Sequence, residues 1–126
     1  MLPVIRHFFD SYTSLYPEEH FSLLAEQIEN GEEDITSRKN FRGHVVADGC
    51  IIDPRNKKIL LIYHKILGTW LNPGGHIDPG DTHPADTAYR EVLEETGVRV
   101  DYVFDEEKTP LLLHIDSHII PENPNK

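Results

Sequence analysis

The chain has 126 residues, a length typical of one domain, and its apolar fraction of 38 % can form one modest core. Its net charge of −10, with histidines neutral, argues against a nucleic-acid backbone or an anionic membrane as the main partner. A phosphate substrate is not excluded, because acidic proteins bind phosphates through divalent cations that clustered carboxylates attract. The single cysteine, Cys50, excludes an intramolecular disulfide and a cysteine-based zinc site.

The N-terminal residues 1–16 carry scattered charges and no long apolar run, which is unlike a signal peptide. No stretch is long enough to span a membrane. Cys50 lies in an apolar run, which predicts a small buried residue and a reducing compartment. The sequence therefore predicts a soluble cytoplasmic protein.

Residues 1 to about 38 have apolar side chains at helical spacing. Pro17 divides this stretch into two helices, and Asn30-Gly31 is typical of a helix end. We expect an N-terminal helical segment over residues 1–40, packed on a main domain over residues 41–126 or on a partner chain.

From Gly43 the pattern changes to that of strands and turns. Residues 44–53 predict a strand, a turn cluster follows at 53–56, and residues 58–64 predict the returning strand of a hairpin. Residues 65–83 form a predicted loop region, and residues 84–96 predict a helix with Pro84 in its first turn and Gly97 as a left-handed cap. Residues 98–104 and 111–120 predict two more strands, so the fold class is α/β or α+β, with helices covering a sheet.

Three glutamates crowd one face of the predicted helix. They are Glu91, Glu94 and Glu95. Because each residue advances a helix by about 100°, these three side chains fall within an arc of about 100° around the helix axis. Such a face gains stability from a divalent cation, since Mg²⁺ prefers oxygen ligands and keeps positions open for water and phosphates. The alternative is a solvated acidic helix face without a ligand. Gly74-Gly75 favours the cation site, because glycines let bare backbone carbonyls approach the acidic face.

The ordered string around these glutamates resembles the signature of the Nudix family. It runs Gly75, five residues, Asp81, eight residues, then Arg90-Glu91-Val92-Leu93-Glu94-Glu95-Thr96-Gly97-Val98. The family pattern is glycine, five residues, glutamate, seven residues, then Arg-Glu-hydrophobic-any-Glu-Glu-any-Gly-hydrophobic. The second half matches without exception, the lead-in at residues 70–75 is also similar, and the resemblance covers roughly residues 43–120.

The resemblance implies a mixed sheet sandwiched between helices, with the box forming a loop, a helix and a second loop. It also implies hydrolysis of a diphosphate linkage in a nucleoside-diphosphate-type substrate, with Mg²⁺ or Mn²⁺. Carried over by position, Glu94 and Glu95 are the principal metal ligands, and the Gly75 carbonyl is a further one. Glu91 is a ligand or the base that activates water, and Arg90 orients the glutamates.

The chain departs from the family pattern in three places. Asp81 stands where the family has a glutamate, so the supporting role of that glutamate does not carry over directly to the shorter side chain. The spacer before Arg90 is one residue longer than in the family pattern. The sequence also ends where the family would have a further strand and a closing helix. The alternatives are therefore a catalytically impaired module that binds a nucleotide or metal, a truncated enzyme, or a purely structural acidic domain. A bare sheet edge would favour a homodimer.

Weaker candidates lie beside the box. His76 could contact a phosphate, and Trp70 and Tyr63 could stack on a base, although packing roles are common for such rings. A row of alternating polar residues shares one face if its segment is a strand. The row consists of His114, Asp116 and His118. It could bind a metal or transfer a proton, or it could be a solvated strand face.

Overall fold

The computed structural model of the chain describes residues 1–119, which form three helices and three antiparallel pairs of short strands. In chain order these are α1 (Leu2–Leu15), α2 (Ser22–Glu29), β1 (Val46–Asp48), β2 (Ile51–Asp53), β3 (Lys58–Leu60), β4 (Ile62–His64), β5 (Thr69–Leu71), β6 (Gly74–His76) and α3 (Pro84–Thr96). The pairs are β1–β6, β2–β3 and β4–β5. The predicted α/β class is confirmed. No helix within residues 1–119 is long and apolar enough to cross a membrane.

The two N-terminal helices enclose the main apolar cluster. Ile5 of α1, Ile28 of α2 and Ile35 of the following turns are buried together. Partly buried side chains pack around them, namely Met1, Leu2, Phe9, Leu24 and Val45. The predicted helix end at Asn30-Gly31 is confirmed, since α2 ends at Glu29 and Gly31 adopts a φ of 64°. The helical reading does not extend to residue 38, because residues 30–42 form turns.

The predicted hairpin is confirmed as β2 and β3, with Ile51 opposite Leu60 and Asp53 opposite Lys58. The carboxylate of Asp53 accepts hydrogen bonds from the backbone N–H groups of Arg55 (3.1 Å) and Asn56 (3.3 Å). Hydrogen bonds, first from the Asn56 side chain, lower the pKa of Asp53. The aspartate therefore stabilises the turn that reverses the chain.

The strand predicted over residues 44–53 is divided into β1 and β2 at Gly49-Cys50. A Cβ at Gly49 would lie 2.6 Å from Cγ2 of Val92, so only a glycine lets α3 approach this closely. The loop predicted over residues 65–83 also contains two strands, since β5 pairs with β4 and β6 pairs with β1. Cys50 was expected to be buried but is exposed, and it lies at the break between β1 and β2.

The strands predicted over 98–104 and 111–120 are not formed by the residues up to 119, and Ile120 lies outside the described residues. This part of the chain has one isolated antiparallel bridge, between Phe104 and Pro110. Proline has no backbone N–H to donate, so a ladder cannot continue through it. Asp105 closes the intervening turn by accepting hydrogen bonds from the N–H groups of Glu107 and Thr109, both at 2.9 Å.

Helix α3 begins and ends at the predicted residues. His83 caps its N-terminus by accepting a hydrogen bond from the Ala85 N–H at 3.0 Å, and Gly97 ends it with a φ of 72°. The helix contacts β1 and β6, and Val92 and Thr87 are buried on the side that faces them. This packing brings the acidic side of α3 next to the glycines of β6.

Candidate active site

The centre of the site is the glycine pair of β6, which lies opposite β1 with Asp48 facing Gly74 and Ala47 facing Gly75. A Cβ at Gly74 would overlap the Asp48 carboxylate and lie 2.6 Å from its Cα. A Cβ at Gly75 would lie 2.6 Å from the carboxyl carbon of Glu91. Two carboxylates therefore approach the bare backbone from both sides, and only glycines allow this.

Two glutamates of α3, one helical turn apart, meet beside the glycines. The side chains of Glu91 and Glu95 act on each other, and the Gly74 backbone acts on Glu95. Burial raises the pKa of Glu95, and the charges of Glu91 and Asp48 add to this effect against the Gly74 hydrogen bond. Two carboxylates held this close together repel each other, and a divalent cation bound between them would relieve this repulsion.

Arg90 holds the neighbouring carboxylates in place. Its guanidinium donates to Glu91 Oε1 at 3.0 Å and to Asp81 Oδ2 at 2.8 Å. It also donates to the backbone carbonyl of His76 at 3.2 Å, and its side chain is 27 % exposed. Arg90 thus joins the box helix to β6 and to the loop before the helix.

Asp81, which stands in place of the family's glutamate, is bonded to Arg90 despite its shorter side chain. Its carboxylate also accepts a hydrogen bond from the Thr87 hydroxyl at 2.7 Å and from the Asp78 N–H at 3.0 Å. The Arg90 hydrogen bond is the largest of the effects that lower the pKa of Asp81 to about 2. Asp81 is therefore ionised near neutral pH and supports Arg90.

Glu94 lies apart from this group. Its side chain is 59 % exposed, and its only ion pair within residues 1–119 is a 3.9 Å contact with Arg90. Glu91, by contrast, is 16 % exposed. Glu95 is also exposed, but its side chain interacts with Glu91, whereas no hydrogen bond or ion pair joins Glu94 to either glutamate within residues 1–119.

The donor atoms of the site have the chemistry that a hard divalent cation prefers. Carboxylate oxygens of Glu91 and Glu95 lie beside backbone that carries no Cβ, and Mg²⁺ and Mn²⁺ favour oxygen ligands. Within residues 1–119, no three His, Cys, Asp or Glu side chains converge as a ready ligand set. The oxygens of these two side chains fit a divalent cation.

The weaker candidates are distributed around the site. Tyr63 and Trp70 lie opposite each other in β4 and β5, with ring centroids 5.4 Å apart. They are 52 % and 62 % exposed, so neither belongs to the core. The His76 ring stacks on His44 at 5.1 Å.

Two acidic positions outside the box also approach the site. Asp48 was not singled out from the sequence, although a charged residue inside an apolar strand pattern is a usable signal. Burial raises the pKa of Asp48, the charge of Asp116 adds to this, and His118 opposes it. Asp116 and His118 come from the predicted polar row, which is irregular rather than a strand.

Comparisons with known proteins agree with this geometry. The model of the NUDIX domain matches residues 43–120. "Nucleoside diphosphate-linked moiety X motif 6" of Mus musculus is 41 % identical over 56 residues, covering 43 % of this chain and 18 % of its own length. The protein of the same name from Xenopus laevis is 30 % identical over 95 residues, covering 74 % of this chain and 42 % of its own length.

A bacterial relative is also similar to the chain. The "Putative 8-oxo-dGTP diphosphatase" of Bacillus subtilis (strain 168) is 43 % identical over 47 residues, covering 37 % of this chain and 31 % of its own length. The chain thus spans less than half the length of each of these curated relatives. No solved structure matches it significantly. Because the family model covers more than half of the 126 residues, including the whole acidic site, the chain belongs to the Nudix family.

Proposed function

We propose that this protein is a pyrophosphohydrolase that cleaves a diphosphate linkage in a nucleoside-diphosphate-type substrate. The observation that carries the proposal is the Glu91–Glu95 pair, held against Gly74-Gly75 inside a matched NUDIX domain. The proposed catalytic residues are Arg90, Glu91, Glu94 and Glu95. The proposed metal-binding set is Gly75, Glu91, Glu94 and Glu95, with Mg²⁺ or Mn²⁺ as the cation.

In the proposed reaction, the oxygen of water forms a bond to one phosphorus, and the bridging oxygen leaves with the other phosphate. The proton of water passes to a carboxylate of the Glu91–Glu95 pair. A divalent cation, when bound, supplies positive charge against the anionic diphosphate and helps to activate water. Arg90 keeps Glu91 at a fixed angle through its 3.0 Å hydrogen bond.

Three residues are proposed as substrate contacts beside the metal-binding set. The exposed Tyr63–Trp70 pair offers aromatic surface on which a base can stack. His76 contributes a ring beside the glycine backbone as a phosphate contact. The names of the relatives suggest nucleoside diphosphate derivatives and 8-oxo-dGTP as substrates to test first.

The remaining parts of the proposal concern the chain as a whole. We divide it into a helical segment over residues 1–40 and a Nudix domain over residues 41–126. The acidic charge supports a small-molecule substrate rather than nucleic acid or membrane, and the free Cys50 thiol suits the cytoplasm. Exposed apolar side chains such as Ile52 and Ile59 support a homodimer, which sedimentation would reveal as a mass twice that of the chain.

The test is phosphate or mononucleotide release from a panel of nucleoside-diphosphate derivatives, including 8-oxo-dGTP, with Mg²⁺, with Mn²⁺ and without metal. We expect at least one substrate to turn over only with metal. Glu91→Gln and Glu95→Gln should each lower kcat by at least about 100-fold, because each removes a carboxylate that the transition state needs. Glu94→Gln should lower it too if this solvent-facing side chain swings in to bind the cation.

A matched control is Glu29→Gln, which makes the same chemical change on an exposed residue of α2. Its kcat should equal that of the wild type. If the folded protein binds Mn²⁺ and nucleotide but hydrolyses no member of the panel, the proposed enzymatic activity is wrong and the protein is a binding module.

A further inference from the structure

The N-terminal helix is tied to the opposite end of the described chain through one buried tyrosine. Tyr12 of α1 is 5 % exposed, and its hydroxyl donates to Glu19 Oε2 at 3.0 Å. The same hydroxyl lies 2.9 Å from Nδ1 of His114, and the two rings meet edge to face with centroids 5.8 Å apart. Helix α1, which precedes the matched NUDIX domain, therefore holds a residue near the end of that domain.

The Tyr12 hydroxyl makes two side-chain hydrogen bonds, and a hydroxyl can donate one proton and also accept. Since Glu19 accepts the proton, the oxygen accepts from Nδ1–H of His114. The backbone of Ile115, the residue after His114, also acts on the hydroxyl. Burial, followed by the hydrogen bond to Glu19, raises the pKa of Tyr12, so the hydroxyl keeps the proton that this arrangement requires.

The anchored segment carries two charged groups toward the candidate active site. Asp116 and His118 follow His114 by two and four residues, and they line the same open groove as Asp48. Both act electrostatically on Asp48. Asp48 in turn lies against Gly74, on the side of the glycine pair opposite to Glu91. The anchor on α1 is thus connected to the glycines of the site through the charges that Asp116 and His118 bring near Asp48.

We propose that Tyr12 is a positioning residue of the active site, because it fixes the segment that holds Asp116 and His118 beside Asp48. The helical extension then completes the electrostatic surroundings of a site whose motif lies entirely in other parts of the chain. The catalytic consequence rests on the proposed function, whereas the anchoring of residues 114–118 does not.

The variant that tests this is Tyr12→Phe, which keeps the buried ring and removes only the hydroxyl. Tyr16→Phe is the matched control, because Tyr16 lies next to Tyr12 with ring centroids 4.8 Å apart but is itself exposed. Amide hydrogen exchange of Ile115 reports on the anchor without any substrate. We expect exchange to become about fivefold faster in Tyr12→Phe, as a lost hydrogen bond of about 1 kcal/mol implies, and to stay unchanged in Tyr16→Phe.

Two further readouts separate positioning from simple packing. One is the dissociation constant of Mn²⁺ for the protein alone, and the other is kcat and KM on the substrate found with the panel. We expect Tyr12→Phe to lower kcat by about 10- to 100-fold with KM within about twofold, since small displacements of surrounding groups cost rate rather than binding. Mn²⁺ should bind several-fold more weakly. His114→Ala should have the same effects, and the double variant should be no worse than either.

The outcomes are separable from those of the proposed function. If the wild type shows no turnover, the proposed reaction fails, but exchange and Mn²⁺ affinity still decide whether Tyr12 positions the site. Faster exchange together with wild-type Mn²⁺ affinity, and with wild-type kcat where there is turnover, would overturn the positioning role. Unchanged exchange at Ile115 would overturn the anchor itself.

Discussion

The N-terminal helices and the Nudix box are held together by different forces. In the helical region, apolar side chains such as Ile5, Ile28 and Ile35 exclude water from a small core. In the box, Arg90, Asp81 and Glu91 hold each other through charged hydrogen bonds, and Val92 is the main buried apolar anchor of the helix. The helical region is thus sensitive to lost volume, whereas the box is sensitive to changes in charge and backbone spacing. Four predictions test this contrast through the free energy of unfolding, from the largest effect to the smallest.

The largest effect should come from Ile35→Ala. Ile35 is 1 % exposed and is among the largest fully buried side chains, so truncation leaves a cavity and should cost about 3 kcal/mol of unfolding free energy. Urea unfolding followed by circular dichroism measures this. Ile52→Ala makes the same change on an exposed strand residue, and a loss there as large as at Ile35 would contradict the contrast.

The next effect distinguishes the two glycines. Gly74→Ala should cost about 2 kcal/mol because the new methyl group meets the backbone of Asp48. Gly75→Ala meets only the carboxyl end of Glu91, which can rotate away, so it should change stability little while lowering kcat. Unfolding curves and initial rates of both variants check this, and equal losses of stability would refute it.

A smaller, pH-dependent effect belongs to Asp81. Its pKa in the folded protein is about 2 against an ordinary value of 3.8, so the ionised form is stabilised by folding. This contribution is complete above pH 3.8 and is lost as the pH falls from there toward 2. Asp81→Asn should lower the free energy of unfolding by on the order of 1 kcal/mol at pH 7. It should also reduce the fall of that free energy at acid pH. Asp101→Asn, at an exposed residue, is the control. If the free energy of unfolding of Asp81→Asn falls at acid pH as steeply as that of the wild type, the prediction is wrong.

The smallest effect should be a gain. Because the pKa of Glu95 is raised by folding, ionisation of this residue opposes the folded state as the pH rises through its folded value. Glu95→Gln removes that opposition and should raise stability at pH 7 by a few tenths of a kcal/mol, roughly 0.2–0.5, as for a like-charge pair on a helix. Thermal melts at pH 7 and pH 4 measure it. The gain in stability should be absent at pH 4. A clear loss of stability at pH 7 would count against repulsion between Glu91 and Glu95.

The sequence predicted the parts of the fold that depend on local chemistry. The helix at residues 84–96 was predicted from Pro84 and Gly97, and the β2–β3 hairpin from its turn cluster, since both signals act within a few residues. The strands at 98–104 and 111–120 were predicted from apolar content alone. Such content cannot show that Pro110 interrupts the pairing or that Val103 stays 66 % exposed.

The candidate site was predicted in part. The order of residues in the box identified Arg90 and the glutamates, but spacing along a helix could not show that Glu95 turns toward Glu91 while Glu94 faces solvent. Asp48 was missed because its role depends on which strand pairs with β6. The part played by Tyr12 could not be predicted either, since a contact between residues so far apart leaves no local pattern.

Tyr12 and His114 are separated by 102 positions, which has a consequence for how the protein is made. At a synthesis rate of about 5–20 residues per second, α1 exists for roughly 5–20 s before His114 is added to the nascent chain. During that interval the first helix can already pack on α2, because their contacts are local and quick to form. The surroundings of the site that depend on His114 are therefore assembled later than α1 and α2, onto helices that can already have packed together.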